Sequence, residues 1–328
     1  MKEALFPLRT VVRETGLSAH VLRAWERRYQ AVRPARSPSG QRRYTENDLQ
    51  RLLLLKRATQ SGHSIGAIVG QPDAAIRRFL ANPTFSTVWS GDLPEQESHA
   101  DCLAAVRTMN EQSLIRALDA AIVRFGHQGL LCRIVPPLGE KIGDLWRRGE
   151  ITAAHEHFFT AVVRTFLGRT GQQFVPANDA PVLIAATPLG QHHELGAFMA
   201  AVMGAHLGWR VIYLGACLPA AEIAAAVIQS EAQALALSLI HPTDDPRIAA
   251  ELRAIRRRLP EVNLFVGGNA APSYRGVIRG IKAQLVSDLA RFGELLDVIR
   301  ARPYRVKNGA RDRRHNPRDT RTSLKSFS

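Results

Sequence analysis

Between residues 181 and 300 short apolar runs alternate with helical patterns, and no other feature of the chain narrows its possible folds as much. Strands are predicted at Val182 to Ala186, Arg210 to Leu214, Ala234 to Leu239, Asn263 to Val266 and Gln284 to Val286, with helices near 195–207, 219–230, 245–259 and 288–300. Runs that are apolar throughout belong to strands buried on both faces, and helices between them make neighbouring strands parallel. The pattern predicts a doubly wound, Rossmann-like sheet of five parallel strands, of flavodoxin-like order by analogy. Such sheets bind ligands beyond the carboxyl ends of their strands. The first strand, within Pro181 to Thr187, runs into Gln191-His192-His193-Glu194-Leu195-Gly196 and then into a helical pattern. A histidine in that loop is placed to meet a ligand.

At 328 residues the chain is long enough for two or three domains, and an apolar fraction of 45% supplies cores for them. No run of apolar residues is long enough to span a membrane. The opening Met1-Lys2-Glu3-Ala4-Leu5-Phe6-Pro7 lacks a signal-peptide h-region, and Cys102, Cys132 and Cys217 have no paired spacing. Reduced thiols and a cytoplasmic location are expected.

The net charge of +15 is concentrated at the two ends. Residues 1–70 hold thirteen Lys and Arg against five Asp and Glu, and residues 302–328 hold nine against two, which leaves twenty-two of each between. The ends are candidates for a polyanionic partner and the middle is not. In the tail, 302–328, Arg, Pro, Ser and Thr predict disorder and salt-sensitive, nonspecific affinity for DNA.

The basic head has helix-turn-helix grammar. Leu8 to Glu14 is a short helical pattern, Thr15-Gly16-Leu17 a tight turn, and Ser18 a cap for a helix over Ala19 to Gln30. That second helix carries Arg23, Arg27 and Arg28 with Trp25, Glu26 and Tyr29 among them, a face suited to guanine edges and phosphates in the major groove. The turn Arg36-Ser37-Pro38-Ser39-Gly40-Gln41-Arg42-Arg43-Tyr44 reads as a wing along the phosphate backbone, and Thr45 caps a helix over Glu46 to Gln60. Candidate DNA contacts are Ser18, Arg23, Trp25, Arg27, Arg28 and Tyr29, followed by Arg36, Gln41, Arg42, Arg43 and Tyr44.

Leu22-Arg23-Ala24-Trp25-Glu26-Arg27-Arg28-Tyr29 followed by Ser39-Gly40-Gln41-Arg42-Arg43-Tyr44 resembles the winged helix of MerR-type transcription regulators. The resemblance implies sequence-specific binding to double-stranded operator DNA, usually as an oligomer on paired half-sites. This half has no cysteine for a thiolate metal sensor.

The head is expected over 1–75, with a further short helix at Asp73 to Ala81, and a linker over 76–97 around Asn82-Pro83 and Ser90-Gly91-Asp92-Leu93-Pro94-Glu95. Residues 98–175 read as a small antiparallel bundle: Ala100 to Met109, Glu111 to Phe125, a segment through Pro136 to Arg148, and Ile151 to Gly168. Trp146, nine residues, then Glu156-His157 resembles the helical domain that caps cobalamin in the light-sensing MerR-type repressors of the CarH/LitR group. In that group a Rossmann-like domain follows, here residues 176–301.

The cobalamin-binding pattern of that domain is an Asp-x-His-x-x-Gly loop, a Ser-x-Leu strand end and a Gly-Gly strand end. His193 and Gly196 match the first, Ser238 with Leu239 and Ile240 fits the second, and Gly267-Gly268 fits the third. The resemblance makes His193 the lower ligand of cobalt, displacing the cofactor's own base, whose tail enters a slot beside Ser238 and the glycines. It places Trp146, Glu156 and His157 over the upper face, where an adenosyl group or another axial ligand sits. Two positions depart from the pattern. Gln191 stands in place of the acid, able to orient His193 without raising its basicity. Arg147 stands where the light sensors have a second axial histidine, and a guanidinium cannot ligate cobalt. A stable two-histidine state after light is therefore not expected unless His155 or His157 moves in.

Together these readings predict a non-enzymatic, cobalamin-binding regulator, a repressor by resemblance. Dimer or tetramer assembly and operator binding would respond to the cofactor and, by resemblance, to light. The alternatives are a cobalamin-independent regulator whose sensor half is a protein-interaction module, and a corrinoid-dependent methyltransferase component.

Overall fold

A computed structural model describes residues 5–61, 63–81, 93–171, 174 and 176–300. In the head, α1 (Leu8–Thr15) ends where Gly16 turns left-handed at φ 61, and Ser18 accepts from the Val21 amide to start α2 (Ala19–Tyr29). Three short strands, β1 (Phe6–Pro7), β2 (Ala35–Arg36) and β3 (Arg42–Tyr44), pair antiparallel in the order β1-β3-β2. β2 and β3 are the two sides of the wing, turning at Gly40 with φ 77. Thr45 and Asp48 form a reciprocal capping box at the start of α3 (Glu46–Gln60). After α4 (Ile65–Ile68), α5 (Asp73–Ala81) packs back on α3, where Arg51 bonds Asp73 and the Val69 carbonyl. α5 thus matches the further short helix expected at Asp73 to Ala81, and it is attached to the head beyond the boundary expected at residue 75.

The bundle consists of α6 (Leu93–Arg107), α7 (Glu111–Gly129), α8 (Val135–Arg147) and α9 (Ala153–Gly171). α6 begins at Leu93, inside the stretch expected as linker, and the centre of that linker and the 302–328 tail lie outside the described residues. The helix expected to stop at Phe125 is interrupted by Gly126 at φ 71 and ψ 175, resumes, and passes through a π turn over Leu130–Ile134 into α8.

The final domain is a five-stranded parallel sheet in the order β5-β4-β6-β7-β8: β4 (Val182–Pro188), β5 (Arg210–Leu218), β6 (Ala234–Ser238), β7 (Asn263–Gly267) and β8 (Gln284–Leu285). Every residue of β4 is buried, as its unbroken apolar run requires. α10 (Leu195–His206) and α14 (Leu289–Arg300) cover one face of the sheet. α11 (Ala220–Gln229), α12 (Pro246–Arg258) and α13 (Arg275–Gly280) cover the other. The strand order reverses between β5 and β6 around β4, so the loop after β4 and the end of β6 flank the switch point.

One buried apolar cluster runs without interruption from Val11 and Trp25 in the head through Leu118 and Phe125 in the bundle to Met203 and Leu296 on the near face of the sheet. The head is therefore docked: α2, α3 and α4 all pack against α7. No helix among the described residues is long and apolar enough to cross a membrane.

Candidate functional site

The outer face of α2 presents Arg23, Arg27 and Arg28 to solvent with Tyr29 half-buried, while Val21, Leu22, Ala24 and Trp25 form its inner face. Arg36 and Gln41 are exposed on the wing and Arg43 is half-buried. Three expected DNA contacts are corrected. Trp25 is fully buried and its Nε1 donates to the Val123 carbonyl of α7 at 2.8 Å, so it anchors the head to the bundle. Ser18 is buried, its hydroxyl occupied by the Val21 amide at 3.2 Å. Tyr44 is buried and gives its hydroxyl to Glu26, which also takes Arg42 Nε at 2.6 Å. Glu26 thereby pins the wing to α2. In the sequence Glu26 stands only as a residue among arginines, because its partners lie sixteen and eighteen positions away.

At the switch point the loop after β4 is built from its backbone. The Gln191 amide donates to the Pro188 carbonyl at 3.0 Å, and the Thr187 hydroxyl donates to the Gln191 carbonyl while accepting from the Cys217 amide at 2.9 Å. Gln191 is fully buried, and its Oε1 accepts from the amides of Ile240 at 2.7 Å and His241 at 3.2 Å. Its side chain thus ties the loop to the end of β6 and does not orient His193, contrary to the expectation. His193 is exposed, and its ring has no hydrogen-bond partner among the described residues.

Beside this loop a cavity of about 240 Å³ runs between α10 and the ends of β6 and β7. Gly196, Ser238, Gly267 and Gly268 line it, and the bundle closes it with Cys132, Pro136 and Glu140. Glu140 accepts from Asn269 Nδ2 at 3.4 Å, joining α8 to the loop after β7. A Cβ at Gly196 would lie 2.5 Å from Ser238 Oγ, and one at Gly268, whose φ is 96, would lie 2.3 Å from the Leu239 carbonyl oxygen. Only glycine leaves this slot open. Ser238 Oγ is buried without a hydrogen-bond partner, the state of a hydroxyl that a ligand acceptor or donor would satisfy. Leu239 does not line the slot. Its side chain is fully buried in the far core, and its backbone bonds Gly267 and Ala270 at 2.8 and 3.0 Å.

In the expected cap, Trp146 ends α8 half-exposed, Glu156 accepts from the Thr160 hydroxyl at 3.1 Å, and His157 is exposed. Arg147 is exposed and pairs with Asp144. His155 accepts from the Thr152 amide at 3.2 Å through Nδ1. α9 reaches the ligand loop directly, with Arg164 Nε 3.2 Å from Glu194.

The donor set suits a cobalamin: one open imidazole, a glycine-lined slot for a nucleotide tail, and an orphaned hydroxyl inside it. Comparison with known families agrees. Residues 6–70 match the MerR helix-turn-helix family of regulatory proteins, while residues 99–169 and 181–281 match two B12-binding domain families. The HTH-type transcriptional repressor CarH of Myxococcus xanthus is 27% identical over 295 residues, 84% of this chain and 93% of that protein. The repressor CarA of the same organism is 29% identical over 283 residues, 84% of this chain and 91% of the other. The monomethylamine corrinoid protein of Methanosarcina barkeri shares the fold, with a TM-score of 0.50 at 15% identity over 62% of this chain and 99% of that one. The chain thus joins a MerR-type helix-turn-helix head to two B12-binding units in one continuous order, and in that order it resembles the CarH and CarA repressors.

Proposed function

We propose that this cobalamin-binding regulator is a repressor, with no catalytic role, whose assembly into dimers or tetramers and whose grip on operator DNA answer to occupancy of the slot. The observation that carries the reading is the buried, unpartnered Ser238 hydroxyl in a glycine-lined cavity beside an exposed His193. Cobalamin, when bound, would supply a cobalt centre able to take an imidazole nitrogen and a light-sensitive cobalt–carbon bond. His193 would ligate the cobalt, Ser238, Gly196, Gly267 and Gly268 would hold the nucleotide tail, and Trp146, Glu156 and His157 of the bundle would pack over the cofactor. The slot is walled by both the bundle and the sheet, so its occupant touches both and favours one relative placement of them. A difference in affinity for the two placements of about 1–3 kcal/mol is enough to change how subunits pair and how two heads are spaced on an operator. Arg23, Arg27, Arg28, Arg36 and Gln41 would face the DNA.

The test is the absorption spectrum of the protein after incubation with adenosylcobalamin in the dark and removal of free cofactor, before and after green light. Wild type is expected to retain a histidine-ligated chromophore and His193→Ala to lose it. Because Arg147 cannot ligate cobalt, the illuminated wild type is expected to relax in the dark, whereas Arg147→His should give a long-lived light product. The absence of any spectral difference between the two would sink the ligand argument.

A second reading has its own support. Gln191 is committed to the Ile240 and His241 amides and Arg147 to Asp144, so both departures from the family pattern are built into the fold. On that reading the sensor half is a protein-interaction module, and the purified protein stays colourless with cobalamin while still binding DNA.

A further inference from the structure

The residue after the axial histidine has no part in the family pattern described above, yet three elements converge on it. Glu194 stands at the N-cap of α10 with its side chain 24% exposed. One oxygen lies 3.2 Å from Arg164 Nε on α9, and the other accepts from the Tyr213 hydroxyl of β5 at 2.7 Å. The guanidinium of Arg164 lies over the Phe198 ring, 5.9 Å from its centroid, and Phe198 meets Tyr213 edge to face at 5.0 Å. Burial and the neighbouring carboxylate both push the Tyr213 hydroxyl up from its usual pKa, so it stays protonated as the donor. Arg164 follows His157 by seven residues, two helical turns, and so shares its face of α9, with Thr160, the partner of Glu156, in between.

We propose that Glu194 is a positioning residue, the joint that sets His193 against the cap by binding the ligand loop to Arg164 of α9 and to Tyr213 of β5. The inference rests on His193 as the cobalt ligand. It adds that the placement of α9, which carries Glu156 and His157, and the placement of His193 are one variable. A partly exposed ion pair contributes little to stability by itself, so a merely structural bridge would leave the ligand bond untouched when it is broken.

The experiment compares wild type, Glu194→Gln, Arg164→Ala and the charge-exchanged pair Arg164→Glu with Glu194→Arg, each as the full chain. Loaded with cobalamin and reduced to the cobalt(II) state, each is examined by electron paramagnetic resonance, in which an axial nitrogen splits the signal. Each is also examined without cofactor by hydrogen exchange over residues 189–194 and the first two turns of α9. Both single variants are expected to lose at least half of the nitrogen-split signal and to exchange about tenfold faster in both segments, and the exchanged pair to recover both readouts. Arg164 is half-exposed, so its removal leaves the fold intact if Glu194→Gln does not. Unchanged splitting in both single variants overturns the proposal. If wild type binds no cobalamin, the ligand reading fails on its own, and exchange decides the joint: acceleration of both segments together upholds it, and no acceleration overturns it.

Discussion

Ser238 and Gly268 separate the needs of folding from those of ligand binding. A buried hydroxyl without a partner costs about 1–3 kcal/mol, so Ser238→Ala is expected to leave stability unchanged or raise it slightly, while cobalamin affinity falls about tenfold. Urea unfolding and a cofactor titration on the same preparation check the opposite signs. Gly268→Ala should do the reverse of that separation and damage both. Its φ of 96 and a Cβ 2.3 Å from the Leu239 oxygen require the backbone to move, at about 1–3 kcal/mol or more in thermal unfolding. The resemblance to the cobalamin-binding pattern singles out Gly196, Ser238, Gly267 and Gly268, and the fold brings these four to one cavity. The role of Gln191 is not legible in the sequence. Its partners are amides 49 and 50 positions away, and no local pattern reports which loop a buried amide will reach. The burial of Trp25 is legible in its place with Val21, Leu22 and Ala24 on the apolar side of the helix, although Arg27 and Arg28 beside it point to a DNA face.

Among elements, the wing depends on a residue that need not touch DNA. Glu26 joins α2 to β3 through Arg42 and Tyr44. Glu26→Gln removes the charge that holds Arg42, and DNA affinity is expected to fall about tenfold, or about 1.4 kcal/mol, with sequence preference retained. Arg27→Ala on the exposed face should instead change both affinity and preference. Fluorescence anisotropy with operator and scrambled duplexes distinguishes them, and a Glu26→Gln protein that binds as tightly as wild type would remove the wing joint. Most helices and strands with clear periodicity fall near where the sequence pattern puts them, although α6 starts at Leu93 rather than Ala100 and β5 runs on to Leu218 rather than Leu214. The residues Ala271–Tyr274 and α13 do not, because Pro272, Gly276 and Gly280 punctuate the segment like a loop. The interruption of α7 at Gly126 was legible only as the end of a helix, since continuation through a π turn is decided by packing against the head and the slot.

For the whole molecule, the docking of head on sensor is a property that no single segment announces, and it has an acid-sensitive centre. His127 of α7 and His206 of α10 meet at 4.7 Å between ring centroids, with the Phe174 ring against both, in a small cavity shared with Gly16, Lys56 and Thr59 of the head. Lys56 donates to the Thr15 carbonyl at 2.8 Å. Burial, with Lys56 and His20 nearby, lowers His127 from 6.5 to about 4. Burial, with His127 and Lys56 nearby, lowers His206 well below its usual value, and burial lowers Lys56 despite the attraction of Asp297. A histidine whose pKa is depressed by burial favours the buried state fully above its free value of 6.5 and loses that contribution as the pH falls toward about 4. Undocking that exposes His127 lets it bind the extra proton, so docking should weaken as the pH falls through that window. Release of the head is measurable as growth in the radius of gyration by small-angle scattering, or as protease access to the α5–α6 connection, between pH 7 and pH 4.5. His127→Gln, which keeps a polar group but does not titrate, should flatten the response. Trp25→Phe, which removes the bond to the Val123 carbonyl, should shift release to higher pH. Because the same cluster lies between the DNA-binding head and α10, whose first residues line the cofactor slot, a head that releases equally in wild type and His127→Gln would mean that the buried imidazoles are packing alone and that the docked head is held elsewhere.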